Sequence, residues 1–203
     1  MKRNLTILLC AALILFSAIS PTFHFFVYAA DTKTAATDKE REYVIFTEKN
    51  IKTEDMRKKS NLDEKKLSEY MKKLPNLAGI EETLIAVQDD YDVNAILILA
   101  IVRLESGNGK SQIAKTKNNL GGIVASSKSK SVWVYKSFDT KSDCVIYMAK
   151  LLSENYLTEG GKYYNGYTLS DIAKRYSTAS DKWSDLVQEL IYEIQKGIDK
   201  IKI

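Results

Sequence analysis

Apolar and polar residues recur with helical spacing over most of the chain after residue 60. Ser60 is placed to cap the first helix, with Asp63 three residues later, and Pro75 is expected to end it. Between Gly107 and Phe138 the helical period is lost, and the alternation in SVWVYKSF indicates a short strand or hairpin. The predicted helices are Ser60–Leu74, Gly79–Tyr91, Ala95–Glu105, Lys141–Asn155, Leu169–Tyr176 and Asp181–Lys196.

The third of these helices ends in a candidate catalytic acid. The run AILILAIV at 95–102 contains no polar side chain, so the helix is expected to be buried. Glu105 follows this run, and loss of hydration there should raise its pKa until it can donate a proton near neutral pH. Gly107 and Gly109 allow backbone or substrate to approach it closely. The alternative is a helix-terminal glutamate paired with Arg103 or a lysine.

The first 29 residues have the pattern of a secretory signal. Two basic residues precede the apolar run LTILLCAALILFSAI, and a VYA cleavage pattern ends at Ala29. We therefore expect export with cleavage before Ala30; the alternative is an uncleaved membrane anchor, since the run approaches the length of a spanning helix. Residues 30–59 are polar and charge-mixed apart from one short apolar patch at Tyr43–Phe46, which is typical of a mostly flexible linker, and residues 60–203 are expected to form the folded domain.

The composition of the mature domain excludes several kinds of catalytic and metal-binding site. The only histidine, His24, and one of the two cysteines lie in the signal segment, which leaves Cys144 alone. This excludes an internal disulfide, a cysteine zinc cluster and a Cys-His catalytic pair, so we expect no metal and no cofactor. The chain has 30 basic and 26 acidic residues, and the signal segment removes two basic ones, so the mature domain is nearly neutral. Nucleic acid is not an expected partner.

Four motifs resemble, in order and spacing, those of the glucosaminidase family of peptidoglycan hydrolases, glycoside hydrolase family 73. The motifs are LESGNG at 104–109, NNLGGI at 118–123, YKSFDTKSDCVIYMAKLLSENYL at 135–157 and RYSTASDKWSDLV at 175–187. The resemblance runs from about Ser60 to Ile194. It implies a mainly α, lysozyme-like domain with a small β lobe or hairpin. It also implies cleavage of the glycan between N-acetylglucosamine and N-acetylmuramic acid, on the N-acetylglucosaminyl side.

The resemblance assigns roles to individual residues. Glu105 takes the general-acid position, and Tyr176 takes the place of the family's motif tyrosine. A set of three residues is assigned to substrate binding: Ser106, Asn118 and Asn119. The alternatives are a core tyrosine whose hydroxyl finds a partner and a turn formed by the two asparagines.

Three other positions bear on the site. Asn108 and Gly121 stand where many relatives have an aromatic residue, so we expect weaker stacking on a sugar face. Trp183 belongs to an apolar helical stripe, which predicts a core position and no role in ligand binding.

The second catalytic group is less clearly marked. Two carboxyl groups normally flank a glycosidic bond that is hydrolysed. No acidic residue lies between Ser106 and Phe138, where some relatives place one, and Asp139 is the nearest downstream candidate. Its alternative role is to cap the next helix. In that case the substrate's acetamido group or a water held by Tyr176 would have to replace the carboxylate.

Several functions and partners remain open at this point. A lytic transglycosylase or a muramidase would act on the same glycan, and a wall-binding protein would keep the fold without activity. The expected partner is the peptidoglycan glycan strand. Seven lysines between Lys110 and Lys141 would either form a solvated face or attract anionic wall polymers. We expect a monomer that is secreted or associated with the cell wall; an exported domain without a disulfide suits a Gram-positive surface.

Overall fold

The computed structural model describes residues 43–129, 132–177 and 182–203; the predicted signal segment and residues 30–42 lie outside this part of the chain. The helices are α1 Glu64–Met71, a 3-10 helix Pro75–Leu77, α2 Glu81–Tyr91, α3 Ala95–Ser106, α4 Gln112–Lys117, α5 Lys141–Tyr156, α6 Leu169–Tyr176 and α7 Lys182–Asp199. The strands are β1 Tyr43–Val44, β2 Lys59–Ser60, β3 Val124–Ser129 and β4 Val132–Tyr135. The predicted fold class, mainly α with a small β hairpin, is confirmed. No helix in the described ranges is long and apolar enough to cross a membrane.

The second half of the predicted linker packs into the domain. β1 pairs in parallel with β2, and Val44, Phe46, Ile51 and Met56 are buried in the hydrophobic core. The backbone N–H of Phe46 donates a hydrogen bond to the side-chain oxygen of Gln195 near the end of α7. The predicted domain boundary at residue 60 therefore falls inside the packed unit, because four apolar side chains spread along a polar segment converge on the core.

The first helix begins later than predicted. Asp63 caps α1 by accepting a hydrogen bond from the backbone N–H of Lys66, so the prediction of Ser60 as its cap is wrong. Ser60 lies in β2, where its hydroxyl donates to the side-chain oxygen of Asn94 at 2.7 Å. The capping pattern placed Asp63 inside the helix, three residues after the cap, whereas in the structure Asp63 is itself the N-cap.

Helix α3 runs through the core and ends at the candidate site. Every side chain from Ala95 to Arg103 is buried, as predicted, and α2, α5 and α7 contact the helix. Asn94 fixes its start, because its side-chain oxygen accepts the backbone N–H groups of Ile96 and Leu97 at 2.9 and 3.1 Å. Gly107 ends it with a φ of 59°, in the left-handed region that favours glycine.

Candidate active site

Glu105 lies in the last turn of α3, at the edge of the core. The indole N–H of Trp183 donates a hydrogen bond to its Oε1 at 3.2 Å. Burial raises the pKa of Glu105 to about 7, and this hydrogen bond opposes the rise because it stabilises the carboxylate. Near neutral pH the group is therefore divided between its acid and carboxylate forms, which is the condition for a general acid.

A row of aromatic rings borders Glu105. Trp183 stacks on Tyr176 with 4.6 Å between ring centroids and 25° between ring planes. Tyr176 lies 5.5 Å from Tyr156, which in turn lies 5.1 Å from Tyr163. Burial raises the pKa of Tyr176 well above its usual value, and the nearby Glu105 adds to the rise. The phenol therefore keeps its proton, and it lies close enough to Glu105 for the carboxylate charge to disfavour its ionisation.

Trp183 is the site residue that sequence reasoning missed. Its predicted core position is confirmed, since only 5% of its surface is exposed at the start of α7. The prediction considered only a role in ligand binding and did not consider the N–H of the indole ring, which donates to Glu105. The available signal was its place in the same motif as Tyr176.

The loop after Glu105 is tightly held. The Ser106 hydroxyl donates to the carbonyl of Val102 at 2.6 Å and accepts the backbone N–H of Gly109 at 2.7 Å. Gly109 has a φ of 77°, and an added Cβ would lie 2.6 Å from the backbone oxygen of Asn76. Ser106 is fully buried, so it shapes this loop and has no surface for the sugar contact predicted for it.

Arg103 does not pair with Glu105. Its guanidinium donates to the Tyr70 hydroxyl at 2.9 Å, to Asn108 Oδ1 at 2.9 Å and to Glu193 at 3.1 Å. These bonds tie α3 to α1, to the loop and to α7. The alternative in which Glu105 is a structural partner of Arg103 is therefore wrong.

The two asparagines brace the β3–β4 hairpin. The amide of Asn119 donates to the carbonyls of Ile123 and Lys136, each at 2.8 Å, and its oxygen accepts the N–H of Ile123. Asn119 has no exposed surface, so its amide is committed to the hairpin and not to a sugar. Asn118 adopts a φ of 51° and donates to the backbone carbonyl of Asp139 at 2.8 Å. The turn alternative accounts for both side chains.

Asp139 lies on the surface ahead of α5. Thr140, not Asp139, caps that helix, through a reciprocal capping box with Asp143. The alternative prediction of a capping aspartate is therefore wrong. The exposed carboxylate of Asp139 does not cap the helix, and its catalytic role stays a prediction.

A family model described as "Glucosaminidase: Mannosyl-glycoprotein endo-beta-N-acetylglucosaminidase" matches residues 81–196, a range that contains Glu105, Asp139, Tyr176 and Trp183. The chain belongs to the glucosaminidase family. The family prediction made from the four motifs is therefore confirmed.

Two further comparisons agree with this membership. Candidate endo-beta-N-acetylglucosaminidases from two strains of Streptococcus pneumoniae are 29% identical over 140 residues, which are 64% of this chain. The chain spans about a fifth of the length of these relatives, 21% and 19%. Crystal structures of Staphylococcus aureus autolysin E show the same fold; one has a TM-score of 0.56 at 22% identity and covers 74% of this chain and 73% of the other.

Two motif positions that were expected to affect sugar stacking carry no aromatic side chain. The side-chain oxygen of Asn108 accepts a hydrogen bond from Arg103, and Asn108 adopts a φ of 57°. At Gly121 an added Cβ would lie 2.7 Å from the sulfur of Met148, so a larger side chain requires Met148 to move. Neither position provides an aromatic face for a sugar.

The linings of two cavities in the described part of the chain do not include Glu105. A pocket of about 430 Å³ lies at Tyr70, Arg103 and Glu193, and another of about 400 Å³ at Arg57 and Tyr167. No group of three acidic, cysteine or histidine residues in these ranges could hold a metal ion.

Proposed function

We propose that this chain is an exported peptidoglycan hydrolase. It acts as an endo-β-N-acetylglucosaminidase on the bond between N-acetylglucosamine and N-acetylmuramic acid, and Glu105 is its general acid. The observation that carries the proposal is a carboxyl group with a pKa of about 7, held by Trp183 at the rim of the core within the family's motif. Family membership supports the reaction class.

Related structures support the choice of substrate. One is described as a catalytic mutant of Staphylococcus aureus autolysin E in complex with the disaccharide NAG-NAM, and another holds the muropeptide NAM-L-ALA-D-iGLU. Both cover 72% of this chain with a TM-score of 0.55. A similar fold in this chain would present Glu105 to the same glycan.

The mechanism begins with proton transfer. Protonated Glu105 gives its proton to the glycosidic oxygen as the bond from that oxygen to C1 of N-acetylglucosamine breaks. The oxygen of the 2-acetamido group forms a bond to C1 in the same step. Water then attacks C1, the acetamido oxygen leaves, and the Glu105 carboxylate takes up the proton that water loses. Glu105 returns to its acid form, and one water molecule has been consumed.

The neutral surroundings of Glu105 favour the mechanism in which the substrate's own acetamido group attacks C1. Trp183 and Tyr176 beside it carry no negative charge, and no acidic residue lies between Ser106 and Phe138. The second candidate mechanism uses Asp139 as the base that activates water. Tyr176 serves both mechanisms, because its protonated hydroxyl can orient the acetamido group or the water.

Export and wall association complete the proposal. The signal pattern in residues 1–29 supports transfer to the cell surface, and the lysines between Lys110 and Lys141 would attract anionic wall polymers there. Three of these lysines have partners within the protein: Lys117 donates to Ser137, Lys141 donates to the carbonyl of Asn76, and Lys136 lies 4.6 Å from the centre of the Tyr147 ring. None of these partners carries a negative charge, so the three lysines keep the positive charge that would attract the polymer.

The products distinguish the candidate functions in one experiment. Purified cell walls are digested with the protein, the fragments are reduced, and the new ends are identified by mass spectrometry. Reduced N-acetylglucosamine ends support the proposal, and reduced N-acetylmuramic acid ends indicate a muramidase. Anhydro ends indicate a lytic transglycosylase, and an intact glycan indicates a wall-binding protein.

A further inference from the structure

We propose that Trp183 is a positioning residue for the general acid: its indole N–H holds Oε1 of Glu105 as the unprotonated oxygen, which places the transferable proton on Oε2. The inference rests on the proposed function, in which Glu105 protonates the glycosidic oxygen. It assigns different tasks to the two oxygens of one carboxyl group.

The asymmetry follows from hydrogen-bond chemistry. An indole N–H donates and cannot accept, so the contact at 3.2 Å requires a lone pair on Oε1. The carbonyl oxygen of a carboxylic acid is a better acceptor than its O–H oxygen. The arrangement with the proton on Oε2 is therefore preferred, because it leaves Oε1 as the carbonyl oxygen that accepts from the indole N–H.

The position of Trp183 makes the donor rigid. The side chain is 5% exposed, and its ring face is stacked on Tyr176 at 4.6 Å and 25°. Rotation of the indole would break this stacking as well as the hydrogen bond. Trp183 also lies on α7, which packs along α3, so the donor and the acid belong to two helices in direct contact.

Among the residues that the structure describes, the charged and ionisable side chains near Glu105 do not hold its carboxyl group, so Trp183 is the residue that orients it. Burial and the Trp183 hydrogen bond are the two influences on its pKa among the described residues, and no charged side chain contributes. Arg103, the cation on the same helix, is bound to Glu193 instead. Tyr176 from α6 is the ionisable neighbour, and its own raised pKa keeps it neutral.

A fluorescence titration of the full chain tests the contact without substrate. The sequence has two tryptophans, so the Trp133→Phe variant leaves Trp183 as the single indole. We expect its emission to change with a midpoint near pH 7 as Glu105 ionises, and to lose this transition when Glu105→Gln is added. Emission that is independent of pH in the single variant would overturn the contact.

Kinetics of Trp183→Phe test the positioning role. Phenylalanine keeps a ring on Tyr176 and removes the N–H, so the carboxylate loses a hydrogen bond and the falling limb of the pH–kcat profile should move upward by about one pH unit. We expect kcat to fall on the order of tenfold with KM unchanged, because the reacting proton is no longer held in place. Tyr163→Phe is the control, since it changes the same aromatic row with two rings between it and Trp183.

The outcomes separate this inference from the proposed function. A parent protein that leaves cell-wall glycan intact refutes the function, while the fluorescence titration still reports on the contact. An active parent whose Trp183→Phe variant retains both kcat and the pH limb refutes the positioning role. If the phenylalanine variant does not fold, the titration of Trp133→Phe decides, because that variant retains Trp183.

Discussion

Replacing Glu105 by glutamine should make the protein more stable at alkaline pH while removing its activity. Glutamine resembles the protonated acid in shape and charge, so the variant avoids the cost of a buried carboxylate. The folded-state pKa of about 7, against a usual value of 4.5, means that the folded protein holds this proton more tightly than the unfolded chain does. The resulting stabilisation is fully present below about pH 4.5 and is lost by the parent as the pH rises through 7.

The expected difference in unfolding free energy follows from the pKa difference of Glu105 between the folded and unfolded states. A difference of about 2.5 pKa units corresponds to roughly 3 kcal/mol of unfolding free energy. We therefore expect the parent and Glu105→Gln to be similarly stable near pH 4, and the variant to be more stable by about 3 kcal/mol at pH 8.5. For a domain of this size the difference corresponds to a melting temperature higher on the order of 10 °C.

Urea unfolding followed by circular dichroism, at a series of pH values from 4 to 8.5, measures this difference. Glu189→Gln is the matched control, because Glu189 is exposed on α7 and its carboxyl group meets water in both states. The control should track the parent at every pH. If Glu105→Gln also tracks the parent throughout, Glu105 is not held in a desolvated position and the argument for a raised pKa is wrong.

Three further changes test the remaining parts of the site. Tyr176→Phe should slow cell-wall digestion and change the unfolding free energy by no more than about 1 kcal/mol, since the ring still stacks on Trp183; a large stability loss with unchanged kcat would favour a purely structural tyrosine. Asp139→Asn should retain most of the parental rate in the same assay if the acetamido group assists, and loss of activity at unchanged melting temperature would make Asp139 the base. Asn119→Ala should lower the unfolding free energy in urea by about 2–4 kcal/mol, because it leaves two carbonyls and one N–H of the hairpin without their partner; a loss below about 0.5 kcal/mol would contradict this.

Local pattern was sufficient for the central helix, for the span of α6 and for the raised pKa of Glu105. The run at 95–102 lacks polar side chains, and a helix of that composition is stable only when it is buried on all sides, so its central place in the core could be predicted. The predicted span Leu169–Tyr176 is the observed α6. The raised pKa of Glu105 also follows from its position beside that run, because desolvation is a local consequence of the apolar helix.

Only the tertiary structure decided which surfaces meet. The bond between Trp183 and Glu105 joins residues 78 positions apart, and helical periodicity shows which face of α7 is buried but not what the indole N–H contacts. Ser106 and Asn119 have polar side chains whose partners are backbone groups of folded loops, so their burial could not be predicted from residue type. Val44 lies in the short apolar patch Tyr43–Phe46 and Met56 is a single apolar residue in a polar stretch, and both are core residues because β1 pairs with β2 and brings that segment onto the helices. Helical periodicity in the sequence shows which face of a single helix is buried. A site and a domain boundary depend on contacts between faces that are distant in the chain, so periodicity does not predict them.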